Sequence, residues 1–171
     1  MKKTSCKIPG FTLIELLLYI SLSAIILLAI TFFMFTSLNS RIKTQAINQV
    51  EQQGLLATET ITQSLRNATQ INGPSSGSQS AQLSLDVIDS GDRPTIFDLS
   101  SNSIRFKEGS ASAIELTHFP VIASDLTFKN LSSAHTPGSI RFEFTLTHTN
   151  PEGKNEYDYT KTFSASASLR Q

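Results

Sequence analysis

The stretch GFTLIELLLYISLSAIILLAITFFMFTSLNS, residues 10–40, decides the architecture of this chain. Between Phe11 and Leu38, 21 of 28 positions are hydrophobic, and from Leu16 to Ser40 no side chain is charged. A helix over that uncharged run rises about 37 Å at 1.5 Å per residue. A bilayer core asks for about 20 apolar residues, so the run is long enough to span. The preceding MKKTSCKIPG carries Lys2, Lys3 and Lys7 and no acid, which places the N-terminus on the cytoplasmic side and sends the rest outward. An ordinary secretory signal has an apolar core of about 7–15 residues ending at a small-residue cleavage site. Here the run is longer, and no convincing A-x-A motif precedes Asn39. A plain signal anchor accounts for the length but not for Glu15, because an acid inside an apolar span costs several kcal/mol unless it is paired.

Gly10-Phe11-Thr12-Leu13-Ile14-Glu15, behind a short basic leader and ahead of a long apolar helix, resembles the N-terminal signal of type IV pilins and pseudopilins. The resemblance implies cleavage between Gly10 and Phe11 by a membrane-embedded prepilin peptidase, followed by N-methylation of the new Phe11 amine. It implies that Glu15 neutralises the terminal amine of a neighbouring subunit as helices pack into a filament. The implied partners are prepilin peptidase, other pilin or pseudopilin subunits, an inner-membrane assembly platform and membrane lipid. No cofactor is implied. A buried carboxylate is tolerable with an opposite charge beside it, and cleavage creates that charge. Many major pilins bend this helix at a proline; here Phe32-Phe33 occupy the region, and no proline falls between Pro9 and Pro74. The alternative is a signal-anchored extracellular binding module that never polymerises, in which Glu15 merely reaches the headgroups.

Beyond Arg41 the helical pattern becomes amphipathic. Ile42, Ala46, Val50, Gly54, Ala57, Ile61, Leu65 and Ala68 recur at spacings of three and four, one helical stripe, while Lys43, Gln45, Gln49, Glu51, Gln52, Glu59 and Gln63 occupy the other faces. Gly54 within the stripe, and the lack of sustained a/d leucines, argue against a coiled coil. The breaker cluster Asn72-Gly73-Pro74-Ser75-Ser76-Gly77-Ser78 ends the rod. Alternation of period two follows at Leu83/Leu85/Val87, Ile104/Phe106, Ile114/Leu116 and Leu126/Phe128, and most clearly at Ile140/Phe142/Phe144/Leu146. Tyr157, Tyr159, Phe163 and Ala165 answer that last run across Asn150-Pro151-Glu152-Gly153, a tetrad suited to a type I turn with a left-handed glycine. The expected fold class is α+β: a long N-terminal helix packed on a C-terminal antiparallel sheet. The expected segments are a removable leader over 1–10, a transmembrane assembly helix over 11–38, its amphipathic continuation over 39–71 and a β-rich globular domain over 72–171. The helix tail Gln63-Ser64-Leu65-Arg66-Asn67-Ala68-Thr69-Gln70-Ile71, with the Ser/Thr-rich sheet ending in Ser168-Leu169-Arg170, is similar to J-type or W-type minor pseudopilins. Such members sit at or near filament tips.

Other chemistry finds little footing. Fourteen basic and fourteen acidic residues cancel, and no basic run outside the leader offers the face that nucleic-acid binding needs. Cys6 is the single cysteine, so no internal disulfide is available. Asp86, Asp89, Asp92 and Asp98 cluster around Ser90-Gly91 without the spacing of a calcium loop and are expected to form a solvated turn. His118, His135 and His148 are far apart and lack zinc-ligand spacing; His118 and His148 are expected at the surface or edge of strands. Gly73-Pro74-Ser75-Ser76-Gly77 spells G-x-S-x-G but is expected to follow a helix, whereas a nucleophile elbow needs a strand before it and a helix after it. The glycosylation patterns Asn67-Ala68-Thr69 and Asn130-Leu131-Ser132 carry little weight. No enzymatic activity and no metal site are expected.

Overall fold

The computed structural model describes Gly10 and residues 12–133, 137–150, 153 and 157–170. Its elements are α1 (Leu13–Asn67), β1 (Ala68–Gly73), β2 (Gln79–Ser80), β3 (Leu83–Val87), β4 (Thr95–Ser100), β5 (Ser103–Glu108), β6 (Ile114–Glu115), β7 (Val121–Asn130), β8 (Ser139–His148) and β9 (Thr160–Ser168). This is the expected α+β arrangement, with two antiparallel sheets where the alternation had suggested one. A five-stranded sheet runs β1-β3-β4-β5-β6 and a four-stranded sheet runs β2-β7-β8-β9. The chain forms two compact units, Met1–Arg41 and Ile42–Gln171.

In the second unit the predicted stripe of α1 meets the sheets. Ala46, Val50, Ala57, Ile61 and Leu65 are buried, the last four joining one core with Leu83, Leu85, Phe97, Ile104, Phe128 and the β8 row Ile140, Phe142, Phe144 and Leu146. Gly54 has a specific task there. A Cβ at this position would lie 2.1 Å from the Phe163 ring of β9, so the glycine lets a helix and an aromatic ring share one site.

The helix ends at Asn67, four residues before the boundary at Ile71 expected from the sequence. Residues 68–73 pair instead with β3, in the register Ala68↔Val87 and Ile71↔Leu85, and Thr69 Oγ1 donates to the Asp86 carbonyl at 3.0 Å. The ladder supplies the backbone partners that a helix end would lack. Strand β7 conceals its periodicity in another way. Val121 and Ala123 are buried, and then the inward set becomes Leu126, Phe128 and Asn130. A register shift lies between Ser124 and Thr127, and Asp125 has φ +53°. That bulge changes which residues face the core. The Ile114/Leu116 pair is also split: Ile114 is exposed and Leu116 buried, because β6 stops at Glu115 and the Leu116 N–H donates to the Ile104 carbonyl. In the final hairpin, Thr147↔Thr160 is the innermost strand pair. The Gly153 N–H donates to the Asn150 carbonyl at 3.3 Å with Gly153 at φ +62°; Pro151 and Glu152 lie outside the described residues.

Candidate functional site

The N-terminal unit places the signal residues at a helix start. Gly10 is exposed and Phe11 lies outside the described residues. Thr12 caps α1: its Oγ1 accepts from the Glu15 N–H at 3.3 Å, and its carbonyl accepts from the Leu16 N–H at 3.1 Å. An N-cap hydroxyl satisfies one of the orphan donors of the first turn, and the helix dipole favours a carboxylate such as Glu15 in that turn. Glu15 therefore has a local helix-starting role. The sequence reading did not see this, although Thr12-x-x-Glu15 matches a capping-box pattern.

Along this unit the apolar side chains face outward on every side: Leu13 is 77% exposed, and Phe32 and Phe33 are each 75%. A helix apolar all round belongs inside a larger core or a membrane, and this one is long and apolar enough to cross a membrane. Four of its hydroxyls close onto the helix backbone. Ser21 donates to the Leu18 carbonyl, Ser23 to Ile20, Thr31 to Leu27 and Thr36 to Phe32, at 2.8–3.0 Å. In hydrocarbon no water would take those bonds, so their closure onto the backbone suits an apolar medium.

In the second unit, polar residues of α1 hold the sheet through specific contacts. Glu51 accepts from Lys161 Nζ at 2.7 and 2.8 Å and from Tyr159 Oη at 2.9 Å. The Lys161 ammonium, with Tyr159 second, holds the Glu51 carboxyl below the usual carboxylate range. Glu51 in turn raises both Lys161 and Tyr159. Gln53 clasps the main chain of His118 twice, donating to its carbonyl at 3.1 Å and accepting from its N–H at 2.9 Å. His148 is buried; its Nε2 lies 3.0 Å from Gln49 Oε1, its Nδ1 3.0 Å from the Thr149 carbonyl, and its ring stacks on Tyr157. The burial of His148 corrects the expectation of a surface or strand-edge residue, and Gln49 and Glu51, off the apolar stripe, bind the sheet. The signal was absent from sequence because the partners lie 99–110 residues away along the chain.

The remaining candidates resolve into structural roles. Asp89 Oδ1 accepts from the Gly91 N–H at 3.0 Å, Asp86 from Asn72 Nδ2 at 2.7 Å, and Asp98 takes a bidentate bond from Arg105 at 2.9 and 2.8 Å. Asp98 thus sits in a strand pair and not in a solvated turn. His118 is exposed in the loop before β7, and His135 lies outside the described residues. No cluster of metal-ligating side chains occurs among the described residues. Gly73–Gly77 follows strand β1 and not a helix, but leads into β2, and Ser76 Oγ donates to the Ser132 carbonyl.

The first unit is thus a helix apolar on all faces, capped by Thr12 and carrying one acid in its first turn. Residues 7–31 match the family model described as the prokaryotic N-terminal methylation motif, the signal of type IV pilins and pseudopilins. No curated protein and no solved structure matches the chain. The match covers the N-terminal segment and marks it as a pilin-like prepilin-peptidase signal.

Proposed function

We propose that this chain is a minor pilin or pseudopilin: a membrane-stored subunit, cut between Gly10 and Phe11, methylated on Phe11 and drawn into a type IV pilus or secretion filament. Its N-terminus then begins cytoplasmic and its β-rich domain lies outside the membrane. The carrying observation is the methylation motif over residues 7–31 on a helix with exposed apolar side chains on every face. Glu15 is the residue that distinguishes assembly from simple anchoring. Glu15 follows Phe11, whose amine cleavage would free, by four residues in the sequence, and no cation follows it before Arg41. Among packed apolar helices, desolvation disfavours the charged carboxylate unless a cation joins it. The Phe11 amine of an adjacent subunit supplies that cation.

Glu15→Gln keeps the side-chain shape and the Thr12 cap but removes the charge. Membrane insertion and cleavage of the variant should persist, while its co-purification with filaments falls well below wild type. Equal co-purification would remove the charge pair from the account.

A further inference from the structure

We infer that a cleft at the end of the second unit where the chain enters it docks on the outer surface of the bilayer that holds this protein, its apolar wall taking lipid. The cleft has a volume of about 360 Å³, and its apolar lining is Ile42 and Ala46 of α1, Phe119 and Pro120 before β7, and Tyr157 before β9. These residues come together at one end of the domain. Val121 at the start of β7 pairs with His148 at the end of β8, and the Thr149 N–H donates to the Pro120 carbonyl. Ile42 is the first residue of the unit, so the cleft lies where the membrane-spanning run hands over to the domain.

The polar groups of the wall already have partners. His148 Nε2 lies 3.0 Å from Gln49 Oε1 and Nδ1 3.0 Å from the Thr149 carbonyl, while Thr149 Oγ1 donates to the Pro120 carbonyl. None of them calls for a polar ligand. What stays uncovered is apolar: Phe119 is 80% exposed, and the Tyr157 ring stacks on His148 with centroids 5.7 Å apart. Exposed apolar surface of this kind marks a contact with a protein or a membrane, and aromatic rings are favoured at headgroup level.

Chain length selects the membrane. The apolar run ends at Leu38 and Ile42 lies four residues on, at most about 14 Å away even along a fully extended chain. That bound holds at any angle between the two units. The headgroup layer adds about 5–8 Å to each side of the hydrocarbon, so lipid stays within reach of the cleft while the subunit is stored in the membrane. A protein partner must instead be recruited, and tethering favours the ligand already at hand. The exposed cations Arg41 and Lys43 flank Ile42, and no acid occurs between Glu15 and Glu51, which suits anionic headgroups. Asp158, next to Tyr157 in the chain, carries the opposite sign, so apolar burial supplies the contact and the cations orient it. This choice of partner rests on the anchoring proposed above.

The chain contains no tryptophan, so one introduced indole reports without background. The test reconstitutes the full chain carrying Phe119→Trp in vesicles of phosphatidylethanolamine and phosphatidylglycerol, with and without bromine on the acyl chains. The control is Ile88→Trp, at a site 78% exposed next to Val87, which pairs with Ala68 just past the far end of α1. Interfacial side chains lie ~5–10 Å deep, within range of the bromines, so Phe119→Trp emission should fall by about half while Ile88→Trp is unchanged. The loss should persist when the vesicles are diluted with excess lipid. If Phe119→Trp lowers the melting temperature, Gln45→Trp, exposed on the same cleft, gives the reading. Equal quenching at both positions, no quenching at either, or a spectral change at position 119 that bromine leaves untouched and lipid dilution abolishes, as a second copy would give, would overturn the inference. Carbonate extraction of the same vesicles reports on the anchor: a chain that washes off overturns both readings, and an inserted chain without quenching overturns the docking alone.

Discussion

Gly54→Ala is a change whose sign the structure reverses. In the middle of an exposed helix, alanine is more favourable than glycine by about 1 kcal/mol, so sequence considerations alone expect stabilisation. Here the new Cβ would fall 2.1, 2.3 and 2.5 Å from three carbons of the Phe163 ring, whereas unstrained carbon contacts lie near ~3.5–4.0 Å. The ring or the helix must move by more than an ångström. The ring has little room: Phe163 is buried, stacks on Phe144 with centroids 5.4 Å apart, and has Lys161 Nζ 5.1 Å from its centroid. Overpacking costs about 1–3 kcal/mol, and so close an approach belongs at the upper end. After the helix-propensity gain, the expected net loss is about 2 kcal/mol. For a domain of this size that lowers the melting temperature by roughly 5–8 °C, readable by circular dichroism on the full chain in detergent. Phe163→Leu shortens the obstructing ring, so Gly54→Ala added to it should cost much less, and the double-mutant cycle should show the coupling. A single Gly54→Ala variant that melts higher than wild type would refute the close packing of α1 on β9.

Phe142→Ala and Phe144→Ala should each cost ~3–5 kcal/mol as large-to-small core changes, since both rings are buried; a neutral effect in chemical denaturation would move the core elsewhere. The Glu51–Lys161 pair makes stability depend on pH. Glu51 is held below its ordinary value, so its contribution is present above that value, near pH 4.5, and fades as pH falls through the lower folded-state value. Lys161 is raised, so its contribution is present below the ordinary lysine value and is lost only as pH rises through the higher folded value. Glu51→Gln should therefore lower the melting temperature at neutral pH and converge with wild type in acid; a difference that persists unchanged at pH 3 would assign the effect to another cause. Gly10→Phe should leave the leader uncut on immunoblots, because a bulky residue replaces the one preceding the cut, and efficient cleavage would exclude Gly10 as a site determinant.

Contiguous signals were the readable ones. The apolar run of the first forty residues forms the first half of α1, and the helical stripe from Ala46 to Leu65 and the inward row of β8 follow their periods without interruption. Reading failed where a local break or a distant partner decides. The Asp125 bulge in β7 moves the buried set from Ala123 to Leu126, which period two cannot show. The end of α1 is set by β3, whose Val87 and Leu85 pair with Ala68 and Ile71, so the helical spacing of Ala68 was misleading. Gln49, Glu51 and Gln53 look like ordinary solvated glutamines and glutamate until His148, Lys161 and His118 are brought against them. Gly54 was a blemish in the stripe; its reason, the Phe163 ring, comes from the last strand.

The central claim is that this chain is processed as a pilin-type subunit, and the mass of its mature N-terminal peptide tests that most directly. In cells with an active prepilin peptidase, the peptide should begin at Phe11 and carry one methyl group, and deleting the peptidase should return the chain to its full length. A mature chain still beginning at Met1 in peptidase-positive cells, or cut at a site other than Gly10–Phe11, would contradict the account.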